Sequence, residues 1–299
     1  MNKGIHKKLC TADKITYLVF DLILTILFVI VAYPLILIIS SSVSSSSAVV
    51  TGRVKLLPVE PTLLGYQTVF RTKSVWTGYL NSFYYAVLGT SINLVMTCLA
   101  AYPLSRKDLR GRNLIMGLFT FTMFFSGGLI PGFLLVSDLG MMNTVWAMVL
   151  PGAISVYNMI LARTYFQSSI PVELLEASQI DGCNNTRFIL KVVIPLSKPI
   201  LAVLCLYYAV GHWNSYLNAL LYLNDARRYP LQIVLRDILM LTQVDFSESL
   251  DTEFLLKQQE IATLMKYSLI IVASLPVLIA YPFVQKYFVK GVMIGSLKG

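Results

Sequence analysis

Three observations predict an all-α fold, a six-helix transmembrane bundle. Only 13% of the residues are charged while 56% are hydrophobic, for a mean hydropathy of +0.70; an ordinary soluble domain carries roughly 25% charged residues. Apolar runs long enough to cross a bilayer recur six times. Basic residues crowd into alternate connections between those runs. Lipid must therefore be much of the solvent. No connection is long enough to build a core of its own, so residues 1–299 read as a single transmembrane domain.

A bilayer core about 30 Å thick needs about 20 apolar residues at 1.5 Å rise. Runs of that length lie at roughly residues 15–40, 75–102, 114–135, 143–163, 198–223 and 261–284. The first follows Lys3, Lys7, Lys8 and Lys14, as the apolar part of a signal peptide would. At about 25 residues it exceeds the roughly 7–15 of such a segment, so an uncleaved span is expected. Gly127, Gly128, Pro131 and Gly132 interrupt the third run, and Pro151 and Gly152 the fourth. Backbone groups freed there need partners on neighbouring helices or along a water-filled path. The serine run at residues 40–47 reads as a flexible polar exit rather than a core element.

Even spans put both termini on one side. That side holds the basic residues of the amino tail, Arg106, Lys107, Arg110 and Arg112 after span 2, Arg163, Arg187, Lys191 and Lys198 after span 4, and Lys286, Lys290 and Lys298 of the carboxyl tail. Its net charge is +9, against zero opposite, where acidic residues balance the basic ones. By the positive-inside rule both termini are expected in the cytoplasm. The charge excess thus marks orientation, not nucleic-acid binding.

Several chemistries are disfavoured. Ion-coupled carriers and membrane enzymes need ionisable groups within the bilayer, and the runs hold almost none beyond Asp21 and Lys266, each near an edge. His212 is the sole histidine outside the amino tail, so no histidine-based metal site or catalytic triad can be assembled, and His212 itself reads as a packing residue. Cys10, Cys98, Cys183 and Cys205 have neither disulfide-framework nor metal-ligand spacing. A phosphate loop of the G-x-x-x-x-G-K-[ST] type is absent. If transport is active, its energy comes from another subunit.

The connection after span 4, Ser168 to Pro199, has the grammar of helix, turn, helix. Pro171 suits a first helical turn and Glu173 and Glu176 an amino end, while Asp181 with Gly182 stops the helix. Asn184, Asn185 or Thr186 can cap the second helix, which ends toward Pro195. Leu174 and Leu175 give the first helix an apolar side, and Ala177 and Ser178 a thin one. It is shaped either for a partner's groove or for packing beneath its own bundle.

Glu176, Ala177, Ser178, Gly182, Val192, Ile194 and Pro195 match, with three conservative departures, the E-A-A, three residues, G, nine residues, I-x-L-P pattern. The segment resembles the coupling loop of permeases of ATP-binding-cassette importers. The likeness extends over nearly the whole chain to carbohydrate-uptake permeases of Gram-positive bacteria, through FFSGGLIPGFLLV at Phe124–Val136, GHWNSYLNAL at Gly211–Leu220 and the final Gly-Ser-Leu-Lys-Gly. The resemblance implies one permease domain in the plasma membrane. Its partners would be a second permease, two cytosolic ATPase subunits and an extracellular solute-binding protein, usually a lipoprotein. It implies coupling to the ATPase through Glu173, Glu176, Ala177, Ser178, Asp181, Gly182 and Pro195. Mg-ATP would be held by the ATPase subunits, no cofactor or metal by this chain, and the chain would catalyse no covalent step. It further implies that residues 290–299 reach between the ATPase subunits; a frayed end is the other reading.

Tyr207, Gly211, Asn214 and Asn218 fall on one helical face of span 5, at i, i+4, i+7 and i+11. The amides can pair with sugar hydroxyls, and Trp213 or Tyr216 can stack on a sugar ring. The same amides can instead hold neighbouring helices together. An uncharged polar face suits a largely neutral solute, and the expected cargo is an oligosaccharide or complex sugar moved by alternating access. The rivals are a non-sugar solute on the same machinery and an ATPase-independent channel or carrier. Outside the membrane, residues 41–74 and 224–260 would face the binding protein. In the second, Leu231, Val234, Leu235 and Ile238 recur at helical spacing, as in a helix packed on the bundle or a docking element.

Overall fold

The computed structural model describes residues 11–241 and 252–296. In chain order the helices are α1 (Thr11–Ser42), α2 (Ser46–Val50), α3 (Leu64–Arg71), α4 (Lys73–Ser105), α5 (Arg112–Phe124), α6 (Leu129–Asp138), α7 (Val145–Val149), α8 (Val156–Ser169), α9 (Val172–Ile180), α10 (Asn185–Phe188), α11 (Ile194–Leu196), α12 (Lys198–Trp213), α13 (Leu217–Tyr222), α14 (Leu231–Leu241) and α15 (Thr252–Ser296). A π turn at Ile189–Val193 joins α10 to α11.

Among the described residues three helical stretches are long and apolar enough to cross a membrane: Lys14–Ser42, Lys73–Ser105 and Glu260–Phe283. Two sharply bent pairs bring the number of candidate crossings to five. Arg112–Phe124 meets Leu129–Asp138 at 109°, and Asn185–Leu196 meets Lys198–Trp213 at 83°. The run at 143–163 is broken in two, α7 and α8, across residues 150–155. Pro151 lacks the donor a helix needs, and Gly152 sits at φ 76°. The run at 198–223 also stops, at Asn214, whose side-chain and backbone amides both donate to the Val210 carbonyl.

The chain divides into two compact units, the first comprising residues 1–71 and 238–272. Here the serine run is not a flexible exit. Ser40, Ser41, Ser42, Ser44 and Ser46 are buried. Ser44 Oγ donates to the Ser40 carbonyl (2.6 Å) and accepts from the Val59 amide (3.0 Å). Ser40 donates to the Leu56 carbonyl and Ser46 to that of Glu260, while Ser268 donates to that of Ser42. Local and distant bonds combine here, so a run that looks like a solvated linker becomes a core held by hydrogen bonds. At the surface of this unit Glu60 accepts from Ser45 (2.6 Å) and Arg53 (3.0 Å). These bonds, that from Ser45 foremost, hold its carboxyl below the usual range.

The second unit, residues 72–237 and 273–299, is organised by α4. Its buried face carries small or polar residues about one turn apart: Gly78, Ser82, Ala86, Gly89, Asn93, Thr97 and Ala101. Ser82 accepts from the Leu231 amide (2.9 Å). Asn93 donates to the Gly152 and Ala153 carbonyls (3.1 and 2.9 Å), and its own carbonyl oxygen bonds His212 Nε2 (2.7 Å). Thr97 pairs with the Tyr208 hydroxyl (2.7 Å), which also accepts from the Ser155 amide. Below them a cluster of Ala101, Tyr102, Leu104, Met159, Ala162, Phe166, Phe188, Val193, Leu204 and Tyr208 joins α4, α8, α10 and α12. Leu231, Ile233 and Val234 of α14 are buried too, the packed one of its two expected roles.

A side chain on Gly89 would collide with the His212 ring. Gly89→Leu should therefore destabilise the bundle by about 1–3 kcal/mol through overpacking. Gly117→Leu, with open space around it inside α5, should be neutral or stabilising by up to about 1 kcal/mol. Thermal unfolding of the detergent-purified protein checks both.

Candidate functional site

The hairpin between α8 and α12 is built from local signals. Pro171 forces Ile170 into extended backbone (φ −118°, ψ 98°), which ends α8. Pro171 itself then stands at the amino boundary of α9, and Glu173 lies in the first turn, where the helix dipole favours a carboxylate. At the other end Gly182 adopts φ 70°. Its amide bonds the Gln179 carbonyl (3.0 Å), and the Cys183 amide reaches back to Ser178 (2.8 Å). These two bonds make a Schellman cap with glycine in its left-handed position. Asn184 then caps α10 by accepting from the Arg187 amide (2.8 Å). Farther on, the missing donor of Pro195 is absorbed by the π turn, where the Ile194 amide bonds Ile189 five residues back.

None of the α9 residues is buried, and Glu173, Glu176, Ala177, Asp181 and Pro195 are exposed. Ser178 is half-buried, its hydroxyl turned onto the Leu175 carbonyl. Ile180 is 87% exposed, Val172 48% and Leu174 41%. Leu175 packs against the cluster around Phe188. Nine residues are too few for an independently stable helix, so α9 depends on that anchor and on its two ends.

Polar groups brace the end of α4 next to this hairpin. Arg163 donates to the Leu104 carbonyl (2.9 Å) and Gln167 to that of Ser105 (3.3 Å), supplying partners that the helix end lacks. Arg106 grips Asp108 with two bonds (2.9 and 2.6 Å). These hold the Asp108 carboxyl below its ordinary range. The stabilisation is full above that range and is lost as pH falls through the depressed value. With the Asp108 side chain 63% exposed, it amounts to under about 1 kcal/mol. A cavity of about 500 Å³ lies between the α4 end and α9, bordered by Arg106, Gln167, Leu175, Glu176, Gln179 and Phe188 among others.

The residues expected along a solute path are only partly brought together. Tyr207, Gly211 and Asn214 are exposed on α12, whereas Asn218 lies beyond the break, on α13. Trp213 is 5% exposed, donates its indole N–H to the Ala273 carbonyl (3.0 Å) and meets Tyr79 edge-on at 5.3 Å. Tyr216 packs with Tyr85 and Met148. Sequence reasoning missed Asn93, Thr97 and Gly89 as the partners of α12. Their recurrence every fourth residue within an apolar run was the available signal. The carboxyl tail side chains, and residues 297–299 altogether, lie outside the described residues.

Gly182→Asn keeps access to a left-handed backbone, whereas Gly182→Ala carries the strain of about 1–2 kcal/mol. Limited proteolysis should therefore cut the hairpin of the alanine variant faster than that of the asparagine variant.

The comparisons with known proteins agree with this architecture. A family model described as "Binding-protein-dependent transport system inner membrane component" matches residues 93–294. The polygalacturonan/rhamnogalacturonan transport system permease protein YtcP of Bacillus subtilis (strain 168) is 42% identical over 269 residues, 89% of this chain and 92% of that one. The melibiose/raffinose/stachyose import permease protein MelC of the same organism is 26% identical over 248 residues, 82% and 84% of the two chains. Among solved structures, a chain of a bacterial ABC transporter involved in the import of the acidic polysaccharide alginate superimposes with a TM-score of 0.84. It is 36% identical and covers 94% of this chain and 99% of its own length.

Proposed function

The chain belongs to the binding-protein-dependent transport system inner membrane components, as the transmembrane permease of a carbohydrate ATP-binding-cassette importer, and from that premise we propose how it is oriented and coupled. It is not itself the ATPase. Residues 1–299 form one permease domain with six crossings, the broken pair α7 and α8 supplying the fourth. Both termini face the cytoplasm of a Gram-positive cell. The chain pairs with a second permease, and a lipoprotein delivers an oligosaccharide or complex sugar from outside. Two ATPase subunits bind Mg-ATP and receive α9 in a surface groove, so that their closure moves the hairpin and switches the cavity from outward- to inward-facing.

The observation that carries this reading is the exposure of α9. Val172, Leu174 and Ile180 face solvent on a short helix whose ends are fixed by Pro171 and Gly182. Exposed apolar side chains on a helix without a covering element are what a partner groove takes up. Glu173, Glu176, Ala177, Ser178 and Asp181 lie on the same helix or its cap, while Pro195 sets the return path through the π turn. Tyr207, Asn214 and Asn218 are proposed to touch passing solute, with Tyr216 beside them; Trp213 contributes by fixing the end of α12.

Gly182→Leu should abolish ATPase association or transport-linked hydrolysis in reconstituted complexes, with solute binding to the external protein unchanged. Glu176→Gln should do less, because an exposed ion pair contributes only about 0–1 kcal/mol. Parent-like assembly and hydrolysis by Gly182→Leu would remove the hairpin from the coupling path. Competition for the cognate binding protein among oligogalacturonides, alginate oligomers and raffinose selects the sugar, and a non-sugar competitor that wins would overturn the carbohydrate assignment.

Orientation is tested separately. A cysteine at exposed Ser47 should react with an impermeant thiol reagent on intact cells, whereas one at exposed Thr186 should react only after permeabilisation. The reverse pattern would invert the topology.

A further inference from the structure

The hairpin is continuous with α8 and, through α10 and α11, with α12. It has no covalent continuity with α4, the helix on which α8 and α12 both pack. Motion of the hairpin reaches α4 only through side chains. A cavity of about 500 Å³ lies between α9 and the α4 end, where Leu175 alone of the α9 apolar residues packs on the cluster shared with α4, and beyond the Gly182 turn two contacts reach that end. One is apolar, Phe188 against Tyr102, with ring centroids 6.4 Å apart. The other is polar: Arg106 Nη1 donates to Asn185 Oδ1 at 2.8 Å.

Arg106 is placed for this. It is the residue at which α4 ends, with its backbone amide bonded to the Pro103 carbonyl. Its side chain is only 17% exposed, although its partner Asp108 is 63% exposed. The two bonds to Asp108 occupy one edge of the guanidinium plane and fix its direction, leaving Nη1 for Asn185. Its own carbonyl accepts from Arg112 Nη1 (3.2 Å), which ties this corner to the start of α5. Asn185 is the first residue of α10, immediately after the Asn184 cap. The guanidinium thus forms a strut from the end of the central helix to the far arm of the hairpin.

We propose that Arg106 is a positioning residue for coupling, which transmits displacement of the hairpin to α4 through Asn185. The proposal rests on the reading of α9 as the ATPase contact. It separates two duties within one hairpin: α9 receives the stroke, and the Arg106–Asn185 bond passes it to α4, with which the hairpin has no covalent continuity. Phe188 supplies contact without direction, whereas a hydrogen bond from a clamped guanidinium resists sliding.

Asn185→Ala removes the acceptor and leaves Arg106–Asp108, the Asn184 cap and the surface of α9 in place. In reconstituted full complexes it should retain ATPase association and hydrolysis, yet move about three- to tenfold less solute per ATP. Asn185→Asp, which restores the acceptor with a negative charge, should return the ratio to that of the parent. An unchanged ratio in Asn185→Ala, a lower ratio not restored in Asn185→Asp, or loss of ATPase association in Asn185→Ala would overturn the proposal. Gly182→Leu, assayed alongside, separates the two failures. If it uncouples while Asn185→Ala does not, the strut alone is wrong; if it too behaves like the parent, the reading of α9 is wrong.

Discussion

One asparagine makes the broken bundle tolerable in lipid. A helix that stops within the bilayer exposes carbonyls and amides that hydrocarbon cannot satisfy, at a cost of several kcal/mol per group. Where α7 gives way to α8, the Gly152 and Ala153 carbonyls are both met by the Asn93 side chain, and Asn93 is in turn held by His212. The Ser155 amide at the same break is met by Tyr208. The route of the chain through this region thus depends on polar side chains of α4 and α12. Those helices can approach so closely because Gly89 leaves room for the His212 ring.

The hairpin depends on the same packing at one remove. α9 is too short to hold its own shape, and its fixed geometry comes from its ends and from Leu175 seated beside Phe188. Phe188, 1% exposed, belongs to the cluster that binds α4, α8 and α12 together. A protein that presents a short helix with exposed apolar side chains, none of its residues buried, must place its buried contacts in what stands beneath.

Local signals made the hairpin legible in advance. Proline before α9, Asp181-Gly182 after it and an asparagine cap on α10 each act within a few residues, so their effect survives without knowledge of the fold. The apolar runs were legible for the same reason, as runs. Whether a run stays continuous was harder to see. Pro151 and Gly152 announced one break, but that at Asn214 has no such marker; there the side chain turns back onto its own helix's carbonyl. The serine run was misjudged because its hydroxyls find partners as distant as Leu56, Val59 and Glu260, a pairing no local pattern reveals. Asn93 and His212 are 119 residues apart in sequence, and Trp213, expected near solute, is committed to the Ala273 carbonyl.

The contrast between α1 and α4 has a consequence for how the chain is made. Lys14–Ser42 has a mean hydropathy of 3.1 and buries none of its apolar window against the rest of the described chain. Such a segment partitions into lipid on leaving the ribosome, needing no companion. Lys73–Ser105, at 1.5, carries a buried stripe of Ser82, Asn93 and Thr97 whose partners belong to α12, α14 and the loop before α8, all synthesised later. During translation that stripe waits in the membrane with its set of hydrogen bonds incomplete until more than a hundred further residues have emerged. Stable retention of α4 therefore waits on segments made long after it, and biogenesis of the permease is exposed to failure over that interval.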